Sequence, residues 1–381
     1  MVCARYAPHV GGVEIHVSKL AAGIARAGHS VEVLTQEHSD RGLPQVEVVT
    51  GVLVRRFPIL GHAERYPQAP ALWHYLTKCA ADFDVVHAHS YHATPALAAA
   101  LTSPPDRLIF TPHYLGGGAT LAGRITHIPY RPIGRFIVGR SARIICTTNS
   151  EAAVLSRQFP LAADRIHIIS NGIDREALAS AIPFHADGLT VLCAGRLEPY
   201  KNRVAVVRSL ASLNREFHLV VVGDGPERKR IATIARRTAV ANRLHLIAGV
   251  PQDDMYRWYR TASVFVTMSA RESFGLTLLE ALVSGTPAVA SDIPAHREVA
   301  AMAEPGAVSL VPLGATPQVL AAAIRRAAAM PRDGRVLATT WNESVAATLE
   351  LYANVVGHAT PHENEFTPFS ALTHRCRRGN K

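Results

Sequence analysis

Two glutamates, Glu272 and Glu280, sit in the otherwise largely apolar stretch "RESFGLTLLEALVSG". In "SFGLT", ahead of a helical pattern, Gly275 lets the backbone come close to a ligand. The N–H groups of Phe274, Gly275, Leu276 and Thr277 are then available at a helix start. Carboxylates accept the paired hydrogen bonds that a vicinal diol donates, so Glu272 and Glu280 suit sugar hydroxyls, those of a ribose and of a hexose. Most glutamates in such places are helix-start charges or exposed face residues. The apolar neighbours of Glu280 weigh against that ordinary role.

A second constellation is Arg196 and Lys201 in "GRLEPYKN". An arginine fork and a lysine point charge, just past a buried strand, can together neutralise a diphosphate. Gly11 and Gly12 stand directly before a helix, where close backbone approach and unpaired N–H groups suit a phosphate. The pattern is neither a Walker A loop nor G-x-G-x-x-G, and glycine pairs before helices are also ordinary turn chemistry. His113 in "FTPHYLGGG" ends a strand of the first half, where an imidazole can hydrogen-bond a substrate hydroxyl or steady developing charge. "HAHSYH" holds His87, His89 and His92. His87 and His89 share a strand face, but His92 follows a turn and no acidic partner is near in sequence, so no metal is expected. Arg124 to Arg143 interleaves basic and apolar residues. It reads as a surface helix leading into a strand, with an anionic membrane face as the alternative.

The elements that must position these residues alternate strand and helix signals. "SVEVLT", "DVVHAHS", "RLIFTPH", "RIICTTN" and "RIHIIS" form the first series. "TVLCAGR", "HLVVVGDG", "LHLIAGV", "SVFVTMS" and "TPAVAS" form the second. Strands joined by helical crossovers predict two mainly parallel sheets, whose ligands collect at the carboxyl ends of the strands. In "GVEIHVSKLAAGIARAG", Val13, Val17, Leu20 and Ile24 mark one helical face and Gly28 its stop. The expected organisation is an N-terminal Rossmann-like domain over 1–172, a linker over 173–188 and a C-terminal Rossmann-like domain over 189–341. A helix over 342–356, able to cross back to the first domain, and a polar tail over 357–381 complete it. The run "MVCAR" is short for a first strand, so the native start is expected upstream.

Composition bounds the remaining choices. With 381 residues, 48% apolar and 18% charged, the chain can build two buried cores and is not globally disordered. A net charge of +10 implies an anionic partner: nucleic acid, acidic lipid headgroups or a phosphorylated small molecule. RNA-binding strand signatures are missing, and nucleic acid is not an expected partner. Five scattered cysteines without a C-x-x-C pair fit a reducing cytosol. No apolar run reaches the roughly 18 residues of a spanning helix.

The ordered set "YAPHVGGVEIHVSKLAAGIARAGHSVEVLT", "FDVVHAHS", "TPHY", "ISNGID", "AGRLEPYKN", "VVVGDGPER", "LIAGV" and "SARESFGLTLLEALVSGTPAVASD" resembles the family 4 glycosyltransferases, retaining enzymes of the GT-B fold, over nearly the whole chain. That resemblance implies two Rossmann-like domains facing across a cleft and an E-x7-E motif at Glu272 and Glu280. Gly11 and Gly12 would approach the donor, Arg196 and Lys201 would hold its diphosphate, and Val250 would meet the base. Glu280 would bind the ribose, while Glu272 with the amides of Phe274, Gly275 and Leu276 would hold the donor sugar near His113. The implied activity is transfer of a hexose from a nucleotide-diphosphate sugar to an acceptor hydroxyl, in glycan, glycolipid or small-molecule glycoside biosynthesis. No cofactor and no metal are expected.

The acceptor is unassigned, with lipid-linked and oligosaccharide hydroxyls both open. The expected location is cytoplasmic, with peripheral contact at the inner membrane face as an option. Nucleotide-sugar epimerases and phosphorylases share this fold and are the alternatives, followed by a non-catalytic nucleotide-binding module. Two departures from the family pattern are the short first strand and Asn202, where the family often has glycine.

Overall fold

The computed structural model of the protein describes residues 1–61, 67–114, 116, 121–332 and 335–358, with side chains of 121–129 and 358 left aside. It divides into two compact units, Met1–Ser170 with the chain from Trp341, and Asn171–Thr340.

In the first unit the strands are β1 (Glu32–Glu37), β2 (Val46–Val49), β3 (Val52–Pro58), β4 (Val86–His89), β5 (Leu108–Thr111), β6 (Arg143–Cys146) and β7 (Ile166–Ile168). They pair in the orders β1-β3-β2 and β4-β5-β6-β7. Val2 bridges the two groups, pairing in parallel with Leu34 of β1 and Ala88 of β4. The Val2 amide donates to the His87 carbonyl and its carbonyl accepts from the His89 amide, while Met1 and Cys3 bond Leu34 on the other side. All pairings are parallel except the β2–β3 hairpin, which the sequence did not predict. Val46 and Val48 of β2 are exposed, so the hairpin lacks the continuous apolar run that marks a buried strand.

The helix Gly12–Arg26 follows the opening residues and packs against the helix Trp341–His358. Close approach is permitted at Gly23, where an added Cβ would lie 2.4 Å from a Val345 methyl. Leu351 and Val355 of the same terminal helix pack with Ile109 and Ile145. The polar tail beyond residue 358 lies outside the described residues.

In the second unit the strands are β8 (Leu189–Ala194), β9 (Phe217–Val222), β10 (Leu244–Ile247), β11 (Val264–Thr267), β12 (Ala288–Ser291) and β13 (Val308–Val311). The sheet is parallel throughout, in the order β10-β9-β8-β11-β12-β13. Successive strands run outward from β8 to β10, and the chain then returns to add β11 on the other side of β8. The crevice between β8 and β11 is therefore a topological switch point, where loops part and a ligand fits. Buried faces on both sides of the sheet explain why these strands are near-continuous apolar runs in sequence.

The segment expected to be a linker, 173–188, departs from that expectation. Ile173 pairs with Thr340, Arg175–Ser180 form a helix, and Leu178 is buried in the core with Phe265 and Leu278. Tyr256 donates to Asp174 at 2.5 Å. Burying two apolar side chains fixes this segment on the second unit, although its sequence carries Pro183 and Gly188 as breakers.

Candidate active site

The residues that follow β8 and β11 meet at the switch point of the second unit. Past β8, Arg196 is exposed and Lys201 ends a short helical turn, Pro199–Lys201. Asn202 then adopts φ +50°, a left-handed conformation that glycine or asparagine takes at low cost, and the helix Arg203–Leu210 begins. The Asn202 departure is accommodated by this geometry. Past β11, Glu272 lies in the loop ahead of the helix Leu276–Val283, with Gly275 at φ +98° as its N-cap.

The Lys201 ammonium lies 2.5 Å from a Glu272 carboxylate oxygen, and both side chains are mostly buried. Burial pulls the Lys201 ammonium below its ordinary value, against the opposing pull of Glu272. Burial alone would raise the Glu272 carboxyl, but Lys201 and a hydrogen bond with Ser269 outweigh it, so the carboxylate stays below its usual range. Each partner favours the charged form of the other. The sequence reading assigned these residues to different parts of one ligand; the structure also joins them to each other. An ammonium has three donors and a carboxylate about four acceptor sites, so each retains capacity for a ligand.

Three residues of this region escaped the sequence reading. Arg203 is buried and donates to the carbonyls of Ala194 in β8 and Val266 in β11, placing a fixed positive charge behind Lys201. His296 is fully buried beside Gly275, and its Nδ1 lies 2.9 Å from the Ser291 carbonyl. Tyr259, fully buried, donates to Glu280 Oε2 at 2.6 Å. That bond aims the Glu280 carboxylate from inside the apolar helix. Their partners lie on distant elements, so only "strand end" was available in sequence as a signal for His296, and nothing marked Tyr259 or Arg203.

Among the described residues the cations Arg196, Lys201, Arg203 and Arg271 outnumber the carboxylates Glu198 and Glu272 at this edge, with Arg271 5.3 Å above the Tyr200 ring. The charge balance suits an anion such as a diphosphate. At the start of the helix Leu276–Val283 the amides of Leu278 and Leu279 donate to the Gly275 carbonyl. Phe274 is buried and anchors that turn, while Leu276 and Thr277 are half-buried at the helix start. Val250, half-buried, lies past the end of β10.

In the first unit, Gly12 opens its helix with open space where a side chain would project. An added Cβ on Gly11 would instead meet the Glu14 carboxylate. His113, two residues past β5, is half-buried at φ +47°. Burial holds its imidazole well below the ordinary value. A neutral ring there can donate or accept a hydrogen bond but is not a fixed cation. Of the weighed triplet, His87 is bonded to Thr111 and Tyr352, and His92 is exposed.

Each unit holds a mainly parallel sheet, and in the second the cationic switch point carries Glu272. A family model described as Glycosyltransferase Family 4 matches residues 10–177, and one described as Glycosyl transferases group 1 matches residues 174–338. The D-inositol 3-phosphate glycosyltransferase of Saccharomonospora viridis is 30% identical over 317 residues, covering 74% of this chain and 74% of that protein. Sucrose-phosphate synthase from Thermosynechococcus elongatus superposes with a TM-score of 0.76 at 21% identity, covering 94% of this chain and 100% of that one. Anabaena HepE, solved in complex with UDP-glucose, gives 0.67 at 16% identity, covering 94% and 99%. The chain belongs to the family 4 glycosyltransferases of the GT-B fold and is a glycosyltransferase that uses a nucleotide sugar. Among the described residues no helix is long and apolar enough to cross a membrane.

Proposed function

We propose that the chain is a retaining, metal-independent hexosyltransferase whose donor diphosphate is held by Arg196 and Lys201. The observation that carries this reading is the Lys201–Glu272 pair at the β8–β11 switch point, with Arg203 behind it. In this reading Lys201 neutralises charge on the departing nucleotide diphosphate while Glu272 accepts bonds from the donor sugar. Phe274, Gly275, Leu276 and Thr277 supply backbone amides, Glu280 takes the ribose diol, and Val250 meets the base. Gly11, Gly12 and His113 contribute from the first unit.

The bond from the anomeric carbon to the phosphate oxygen breaks as the acceptor oxygen bonds to the same face. The acceptor proton passes to the departing phosphate oxygen. Neither glutamate attacks carbon in this scheme, and electrostatic stabilisation of the leaving group supplies the acceleration. The name of the S. viridis relative makes an inositol phosphate the first acceptor to test. The proposed place of work is the cytoplasm. The net charge of +10 and exposed Arg131 and Arg135 beside Phe136 support peripheral contact with the anionic inner membrane face.

The test is a product assay with UDP-, GDP- and ADP-sugars, with and without acceptor, in EDTA. A new glycoside formed at full rate in EDTA supports the reading. Epimerised or phosphorolysed donor without a glycoside, or activity lost in EDTA and restored by Mg²⁺ or Mn²⁺, would refute it.

A further inference from the structure

We propose that His16, His89 and His113 form a binding site for one divalent first-row transition ion, and that filling it inhibits sugar transfer by holding His113 away from the substrate. The inhibitory half rests on the place given to His113 in the proposed function; the binding half does not.

The three imidazoles belong to the first unit and come from three elements around its own switch point. His16 lies in the helix after the opening residues, His89 ends β4, and His113 follows β5. Their candidate ligand nitrogens all lie within 4.8 Å of one another. Ring centroids are 5.0 Å apart for His16 and His113, 5.6 Å for His16 and His89, and 5.8 Å for His89 and His113. A tetrahedral ion with metal–nitrogen bonds of about 2.0–2.1 Å needs nitrogens about 3.4 Å apart, which modest ring rotations supply.

His89 has no solvent exposure, and among the described residues neither of its ring nitrogens has a hydrogen-bond partner; Nε2 of His113 has none there either. Buried side-chain nitrogens are nearly always bonded, so a doubly unbonded imidazole facing two others is built as an ion ligand would be. A neutral imidazole has one ring nitrogen with a lone pair to give an ion. His87, its ring centroid 4.1 Å from that of His89 and tilted by 34°, is fixed by Thr111 and Tyr352 and holds that side of the cluster in place. His113 is only half-buried, which leaves an approach for the ion from its side.

Three nitrogens suit Zn²⁺, Co²⁺, Ni²⁺ or Cu²⁺ over oxygen-seeking Mg²⁺ or Ca²⁺, with a fourth position for water. An ion there would occupy the same Nε2 or Nδ1 lone pair of His113 that a substrate hydroxyl needs. The site is therefore distinct in consequence from a catalytic metal: loading it lowers turnover.

The full chain, stripped with EDTA and dialysed, is titrated with Zn²⁺ by calorimetry and with Co²⁺ by visible absorption. Tryptophan emission is followed as well, because the Trp341 ring lies 6.2 Å from that of His16. We expect one ion per chain, Co²⁺ quenching of part of the emission, and at least tenfold inhibition of transfer by Zn²⁺ that EDTA reverses. His89→Asn and, should that variant fold poorly, His16→Gln are expected to weaken binding on the order of a hundred-fold or more. Both should abolish zinc inhibition while metal-free transfer continues. Absence of stoichiometric binding, or binding unchanged in both variants, would overturn the site. Binding that the variants abolish but that leaves wild-type transfer uninhibited would keep the site, overturn the inhibition, and remove His113 from the substrate.

Discussion

The Lys201 ammonium and the Glu272 carboxylate, carried by the loops after β8 and β11, meet at 2.5 Å where the strand order of the second sheet reverses. Each opposes the pull of burial on the other's charged form. Breaking such a pair leaves one uncompensated charge and is far costlier than the pair is stabilising.

Lys201→Ala and Arg196→Ala should each lower kcat on the order of a hundred-fold or more, equivalent to roughly 3 to 4 kcal/mol of leaving-group stabilisation. Lys201→Ala should also destabilise the fold by about 3 kcal/mol through the stranded Glu272. Arg196 is exposed and its loss should leave the thermal midpoint unchanged. Steady-state kinetics beside a melting curve separates the two effects. Wild-type turnover in either variant would remove that residue from the diphosphate.

Glu280 should act in binding and not in bond breaking. Glu280→Gln is expected to cost about 1 to 3 kcal/mol of donor affinity, seen in KM with kcat little changed. Tyr259→Phe, which removes the 2.6 Å bond aiming that carboxylate, should move KM in the same direction. A 2′-deoxyribose donor should show the deficit in the wild type and lose little further in Glu280→Gln. Additive losses in that cycle would place Glu280 elsewhere.

Gly12→Ala separates ligand from fold. Apart from its chain neighbours and its own helix backbone, none of the described residues lies within 4 Å of the added methyl, and Gly12 is helical, so stability should hold or rise by up to about 1 kcal/mol. Donor affinity should nevertheless fall by about 1 to 3 kcal/mol if the backbone there closes on the donor. Unchanged donor KM would take Gly12 out of the site.

Acid should loosen the first unit. Burial holds His87, His89 and His113 well below the ordinary imidazole value, so the unfolded chain takes up protons on them first. Their contribution is fully present above the unfolded value of 6.5 and is lost as pH falls below it. The loss is up to about 1.4 kcal/mol per pH unit for each histidine. Thermal midpoints should fall from about pH 7.5 to about pH 5.5, and the slope should be shallower in His89→Asn whatever its absolute stability. Equal slopes in the two proteins would contradict this.

The place of the candidate site was legible because parallel strands buried on both faces announce themselves as apolar runs, and their carboxyl ends then point to Arg196, Lys201 and Glu272, whereas Val250 came only from the family resemblance. The helix start at Gly275 was readable for the same local reason. What escaped depends on register between distant segments. Tyr259 reaches Glu280 from another helix, Arg203 spans two strands, and His16 joins His89 and His113 only once the sheet is assembled. The β2–β3 hairpin has an exposed face, and β13 is only partly buried, so neither carried a strong apolar signal. The segment 173–188 was misread because its breakers outweigh the single buried side chains, Ile173 and Leu178, that dock it.

The central claim is that the sugar is passed on the face from which the diphosphate departs, with Arg196 and Lys201 carrying the leaving charge and neither glutamate attacking carbon. The most direct measurement is the anomeric configuration of the first glycoside formed, followed by proton NMR as the metal-free enzyme turns over an α-linked nucleotide sugar. Retention of the α configuration from the earliest time points is the expected result. A β-configured first product would contradict the claim, because inversion requires a base on the opposite face that this arrangement does not assign.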